Sequence, residues 1–291
     1  MTLKKLTLNI FRFFLYFFAI IGFLFTSVFV AMRLHLTDVK GSIDSRNSFY
    51  RAVKDTASRI NIAQSNDKNI KESEWVSSSE WISLKDGIVK DNDLIQRVSS
   101  ETGVPSRVIV ASIIPEQLRF FTSNRESFKK FFEPLKILGT YTQFSYGISG
   151  IKMETAKQIE DNLKDKTSPF YLGEQYENIL DYNTVADIDV ERLARFTNSH
   201  DHYYSYLYTA LYLKEIMAQW QNAGYPISDR PEVLATLFNI GFIKSVPKMN
   251  PDVGGSTITI NNIDYTFGGL AYDFYYGGEL SDIFPIVVQN N

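Results

Sequence analysis

The sequence predicts a mainly α-helical fold with one small β-hairpin, preceded by an N-terminal transmembrane helix. Three observations carry that reading. Apolar residues recur at helical spacing through most of the chain beyond Asp91, one late stretch alternates instead, and residues 13–32 are apolar with only mild interruptions such as Thr26 and Ser27. With 291 residues, 44% hydrophobic and 22% charged, the chain is long enough to bury a sizeable core.

The first element is the apolar run Phe13–Met32. About twenty residues at helical rise cross a hydrocarbon layer of roughly 30 Å. A secretory signal would have a shorter apolar region and a small-residue cleavage site, for which Ala31 is the only nearby candidate. Lys4, Lys5 and Arg12 precede the run and Arg33, Lys40 and Arg46 follow it, so the charge bias is nearly balanced. The shortness of the leading tail favours a cytoplasmic N-terminus, with everything after Arg33 exported. Residues 1–33 are therefore read as tail and membrane helix.

Residues 34–90 turn polar and read as a stalk or small cap, with a short helix around Phe49–Ile60. Within them SEWVS and SEWIS repeat at a six-residue step, which places Trp75 and Trp81 on one face of an extended segment. Such a pair stacks on sugar rings or, in the commoner pattern, packs against the domain that follows.

Residues 91–291 form the compact domain. Leu94, Ile95 and Val98 have helical spacing and Gly103 suits the C-terminal cap. Pro105 opens a second helix whose Val108, Ile109, Ser112 and Ile113 lead to Glu116, and Pro115 is expected to kink it there. Residues 119–146 are read as a loop or short helices with some extended structure near Gly139. A helix over Lys152–Leu163 follows, then a short one at DVERLARF and a long central one at YYSYLYTALYLKEIMAQWQ, apolar on most sides. RPEVLATLFNIG makes another helix, closed by Gly241. STITINNIDYTF alternates around Asn261 and Asn262, the pattern of a hairpin with a tight turn. The tail FGGLAYDFYYGGELSDIFP mixes tyrosine with glycine and reads as a surface where rings and backbone approach a ligand.

Several function classes drop out. A net charge of −3 supplies no basic field for phosphate backbones, so no nucleic-acid partner is expected. Without cysteine there is no disulfide, thiolate zinc site, iron–sulfur cluster or cysteine nucleophile. His200 and His202, an i, i+2 pair with no third ligand in sight, read as exposed residues rather than a metal site. No cofactor is implied. The candidate that remains is Glu116, a single carboxylate closing an apolar helix, where ionisation is costly and a proton donor is favoured.

Four segments in order resemble the lytic transglycosylase family of the lysozyme-like superfamily, over roughly Asp91 to Pro285. Glu116 stands where that family carries its acid, with Gln117 in place of the usual serine. SYGISGIKMETAKQI is similar to a family segment in Gly147, Ile151, Thr155 and Ala156, while Gly150 replaces a glutamine. LFNIGF resembles Ala-Tyr-Asn-Ala-Gly, keeping Asn239 and Gly241, with Phe238 for tyrosine. A late cleft tyrosine is matched equally by Tyr272 and Tyr275. The resemblance implies cleavage of the β-1,4 bond between N-acetylmuramic acid and N-acetylglucosamine in peptidoglycan, with 1,6-anhydro ends. Glu116 would act as acid and then base, and Gln117, Tyr146, Gly147, Ile151, Asn239 and Tyr272 or Tyr275 would line the glycan site. A hydrolytic muramidase needs a second carboxylate, for which Glu133 and Glu154 are nearest in sequence. Glu154 also fits a plain structural role in the first turn of a helix. A membrane-anchored glycan-binding or scaffold protein that kept the fold and lost turnover is the other alternative, favoured by Gln117 and Gly150.

Overall fold

In the computed structural model of the chain, the residues described are 73–122, 145–182, 187–198 and 200–286, with 12, 14–23, 26, 27 and 30 near the N-terminus. The chain divides into two units, Met1–Lys40 and Gly41–Asn291. In the first, residues 14–23, 26, 27 and 30 are helical and expose Phe14, Phe17, Phe18, Ile20 and Phe23. Among the described residues no helix is long and apolar enough to cross a membrane. The rest of the expected span, the stalk up to residue 72 with its Phe49–Ile60 helix, and residues 123–144 lie outside the described set.

The second unit is mainly helical. Among its described residues the helices are α1 (Ser79–Lys90), α2 (Asn92–Thr102), α3 (Ser106–Thr122), α4 (Met153–Lys164), α5 (Ile188–Thr197), α6 (Tyr203–Asn222), α7 (Pro231–Ile240) and α8 (Phe267–Gly277). Among the described residues two antiparallel hairpins interrupt them. β1 (Ser145–Tyr146) pairs with β2 (Ile151–Lys152), and β3 (Thr257–Ile260) pairs with β4 (Ile263–Thr266).

The helices begin and end where local chemistry directs. Ser78 accepts from the Trp81 amide at the start of α1, Gly103 closes α2 in the left-handed conformation, and Pro231 opens α7. α6 is buried over most of its circumference and packs against α2, α3, α4, α5 and α7, the central position its apolar sequence predicts. In the late hairpin Asn261 and Asn262 have φ of 50° and 63°, the two positive values that a two-residue turn between right-twisted strands requires.

Three expectations are corrected. Trp75 and Trp81 do not lie on an extended stalk: Trp81 is in α1, Trp75 is in the 3-10 turn Glu74–Ser77, and their rings meet edge to face at 4.9 Å. Both are buried in the core with Leu84 and Ile88, so the folded domain includes Ser73–Lys90 rather than starting at Asp91. Second, α3 does not end at Glu116. It runs through Pro115 to Thr122, because tertiary burial of Val108–Ile114 and Leu118 outweighs one missing amide donor. Third, the glycine- and tyrosine-rich tail is the core helix α8. A Cβ on Gly268 would lie 2.3 Å from Thr236 Oγ1 and 2.6 Å from the Glu232 carbonyl, so this glycine serves close approach of α7 and α8 rather than of a ligand.

Candidate active site

Glu116 sits midway along α3, in its second half, and is 9% exposed. The turn between β1 and β2 closes against it. Gly147 and Gly150 adopt φ of 69° and 63°, and the Gly150 amide donates back to the Gly147 carbonyl at 3.4 Å. A Cβ on Gly150 would fall 2.2 Å from Glu116 Oε1, so the carboxyl occupies the space any side chain there would take. Gln117 holds the same turn by donating its amide to the Ile148 carbonyl. On the far side of the turn, a Cβ on Gly147 would meet Ser205 Oγ at 2.5 Å, and buried Ser149 donates to the Ser205 carbonyl at 3.3 Å. The turn is thus clamped between α3 and the start of α6.

The carboxylate is not alone. Arg119, one turn further along α3, donates Nη2 to both Glu116 oxygens at 2.6 and 2.5 Å. Its Nη1 donates to Ser256 Oγ at 3.2 Å, just before β3. Ser256 in turn donates its amide and hydroxyl to Asn239 Oδ1 at 2.8 and 3.0 Å. A chain of polar contacts therefore links Glu116, Arg119, Ser256 and Asn239. Side-chain exposures of 11% for Glu116 and 15% for Arg119 leave this ion pair partly shielded, where its attraction is stronger than at an open surface.

Three of the four sequence segments converge on this place: Glu116 with Gln117, the Gly147–Gly150 turn, and Asn239. They come from α3, the first hairpin and the end of α7. Arg119 and Ser256 were missed by sequence reasoning. Arg119 had a signal, being three residues after Glu116 on one helix face, but ending the helix at Glu116 concealed it. Ser256 had none, since only the fold brings it to Asn239.

The remaining candidates are placed elsewhere. Ile151 is 3% exposed in the core, so its apolar side chain is spent on packing and does not face a ligand. Tyr146 pairs through its backbone with Ile151, and its side chain lies outside the described residues. Tyr272 and Tyr275 are buried in α8. Tyr272 faces Tyr276 at 4.7 Å and is pushed up to about 12 by burial and by Glu232, at the opposite end of α7 from Asn239. The Tyr275 carbonyl accepts from Arg107, nine residues before Glu116 on α3. Neither tyrosine is brought to Glu116.

His202 Nδ1 meets Asp91 Oδ2 at 2.6 Å, and Tyr206 donates to the same oxygen at 2.8 Å, so this histidine ties α6 to the start of α2. Among the described residues no group of three histidine or acidic side chains could hold a metal. Glu154 is an exposed first-turn residue of α4, and Glu133 lies outside the described set.

The chain matches no family model, and no curated protein or solved structure aligns with it.

Proposed function

We propose that the domain is a lytic transglycosylase that cleaves the β-1,4 bond between N-acetylmuramic acid and N-acetylglucosamine in peptidoglycan, with Glu116 as its proton donor and acceptor. The observation supporting this is the meeting of Glu116, the Gly147–Gly150 turn and Asn239, three segments separated by tens of residues that the resemblance puts in one site. Glu116 protonates the leaving oxygen as the sugar takes on oxocarbenium character. The C6 hydroxyl of the same sugar then adds to the anomeric carbon, giving its proton to Glu116 and closing a 1,6-anhydro ring. No water is consumed, so one carboxyl suffices where hydrolysis uses two.

Arg119 sets a condition on this chemistry. With both carboxyl oxygens accepting from one guanidinium, neither is available to a glycosidic oxygen. The working site needs Arg119 displaced, and Ser256 offers Nη1 an existing partner away from the carboxyl. The reading keeps the membrane helix at residues 13–32 and an exported domain, so that the enzyme acts on wall polymer from the bilayer surface.

The same ion pair favours a second reading, a membrane-anchored glycan-binding or scaffold protein in which Arg119 holds Glu116 permanently. Incubation of the full chain in detergent with purified peptidoglycan separates the readings by mass spectrometry. Anhydro-muropeptides support the transglycosylase and reducing ends indicate a hydrolytic muramidase. Intact polymer that sediments with bound protein indicates the binding role.

A further inference from the structure

From the last residue of α7 into the loop before β3 the chain turns apolar side chains outward. Ile240, Ile243, Val246 and Met249 follow one another at three-residue steps and are all exposed, Ile243 at 84% and Met249 at 77%. Single exposed aliphatic residues are ordinary, but one at the end of α7 and three on the loop that follows are a candidate contact surface. The loop is held in this arrangement. Phe242 is buried, its ring 4.3 Å from that of Tyr212 and 4.8 Å from that of Phe170. Ser245 is buried as well: its hydroxyl accepts from Trp220 Nε1 at 2.9 Å and donates to Gln219 at 2.6 Å, while its carbonyl accepts from Gln219 Nε2 at 2.9 Å. Anchors at 242 and 245 fix the backbone so that Ile243, Lys244 and Val246 stay in water.

The charges select the occupant. Lys244 and Lys248 alternate with the aliphatic residues, and the one acid that closes the loop, Asp252, meets Lys248 at 2.7 Å. Aliphatic tips flanked by basic residues suit the boundary between lipid headgroups and acyl chains, where anionic headgroups meet the lysines. The apolar run 13–32 supplies the second argument, because residues 33–72 tether the domain to whatever holds that run and keep a bilayer at high effective concentration. Sugar rings are matched by aromatic faces, which these four positions lack.

We infer that the 240–249 loop docks the domain onto the bilayer surface, with Ile243, Val246 and Met249 entering the headgroup region and Lys244 and Lys248 contacting anionic headgroups. The inference rests on the membrane reading of residues 13–32 and is independent of catalysis. Because Asn239 immediately precedes the loop, docking fixes that side of the candidate site next to the membrane.

The chain has no cysteine, so Ile243→Cys, Val246→Cys and Met249→Cys each create a unique attachment point for an environment-sensitive fluorophore, with Asp93→Cys on α2 as the control. The full chain is reconstituted into phosphatidylcholine vesicles with and without phosphatidylglycerol, and quenching by nitroxide-bearing lipid is measured. Docking predicts a blue shift and at least a several-fold greater quenching at 243, 246 and 249 than at 93, strengthened by phosphatidylglycerol and lost in a Lys244→Glu/Lys248→Glu background. Patch labels that stay as wet as the control on a chain that floats with the vesicles overturn docking and leave the anchor standing. A chain that stays in the soluble fraction contradicts both. Labels shielded without lipid, with sedimentation as a dimer, assign the loop to a second copy and overturn the lipid assignment.

Discussion

Glu116 and Arg119 form an ion pair three residues apart on one helix face, and both are mostly shielded, so a change at Glu116 removes a partly desolvated charge interaction. Glu116→Gln is expected to cost about 1–3 kcal/mol in urea unfolding, since the amide keeps one acceptor but loses the charge. Pairing it with Arg119→Met should recover part of that cost in a double-mutant cycle, and strict additivity would show that the pair is uncoupled in solution. Gly150→Ala meets two obstacles, a φ of 63° and a Cβ 2.2 Å from the Glu116 carboxyl. It should lower stability by about 1–3 kcal/mol and displace the carboxyl, abolishing turnover. A fully active Gly150→Ala would show that the turn does not position Glu116. At this scale the sequence exposed Glu116, because a lone acid in an apolar stretch stands out. It hid Arg119 behind Pro115, whose local helix-breaking tendency was overruled by burial on every side of α3.

Arg107 shows how elements are locked together. Its guanidinium is fully buried and donates to the carbonyls of Phe274 and Tyr275, at the C-terminal end of α8 where unpaired carbonyls concentrate negative partial charge, and to those of Glu279 and Phe284 in the segment that follows. Arg107→Met removes those donors at once and is expected to cost about 3–5 kcal/mol by chemical denaturation, beyond what an exposed arginine would show. Legibility at this scale follows the range of the forces. The late hairpin was readable because Asn261–Asn262 and the alternating strands are local signals, and α2, α4, α5, α6 and α7 were readable from their apolar spacing. α8 was not, because Gly268 and Gly269 argue locally against a helix and the reason for Gly268 lies across the interface, at Glu232 and Thr236 of α7.

Across the second unit, the segment from Ser73 to Lys90 is bound to α8 by Trp81 against Phe274 at 6.1 Å and Ser73 to Asp273 at 3.1 Å, and to the turn after α8 by Lys85 to Glu279 at 3.0 Å. Its polar composition masked this, since a few large residues, Trp75, Trp81, Leu84 and Ile88, supply the burial. Burial pushes the Asp273 carboxyl up to about 6 from an ordinary 3.8. A raised acid favours the folded state while it is protonated, so its contribution is complete below about pH 4 and is lost as pH rises through about 6. Asp273→Asn, which cannot ionise, should gain about 2–3 kcal/mol relative to the native chain between those pH values in urea titrations. A pH-independent difference would mean that Asp273 is not desolvated in the folded chain. Glu215, fully buried in α6 with Asn162 donating to it at 3.0 Å, is pushed well above the usual carboxylate range by the same cause and adds to that slope.

The claim on which the functional account depends is that Glu116 moves the proton, and product analysis of Glu116→Gln on purified peptidoglycan tests it most directly. The native full chain should release 1,6-anhydro-muropeptides, while the folded variant should sediment with the polymer as the native chain does and release none. Anhydro products from Glu116→Gln at a rate near that of the native chain would contradict the account.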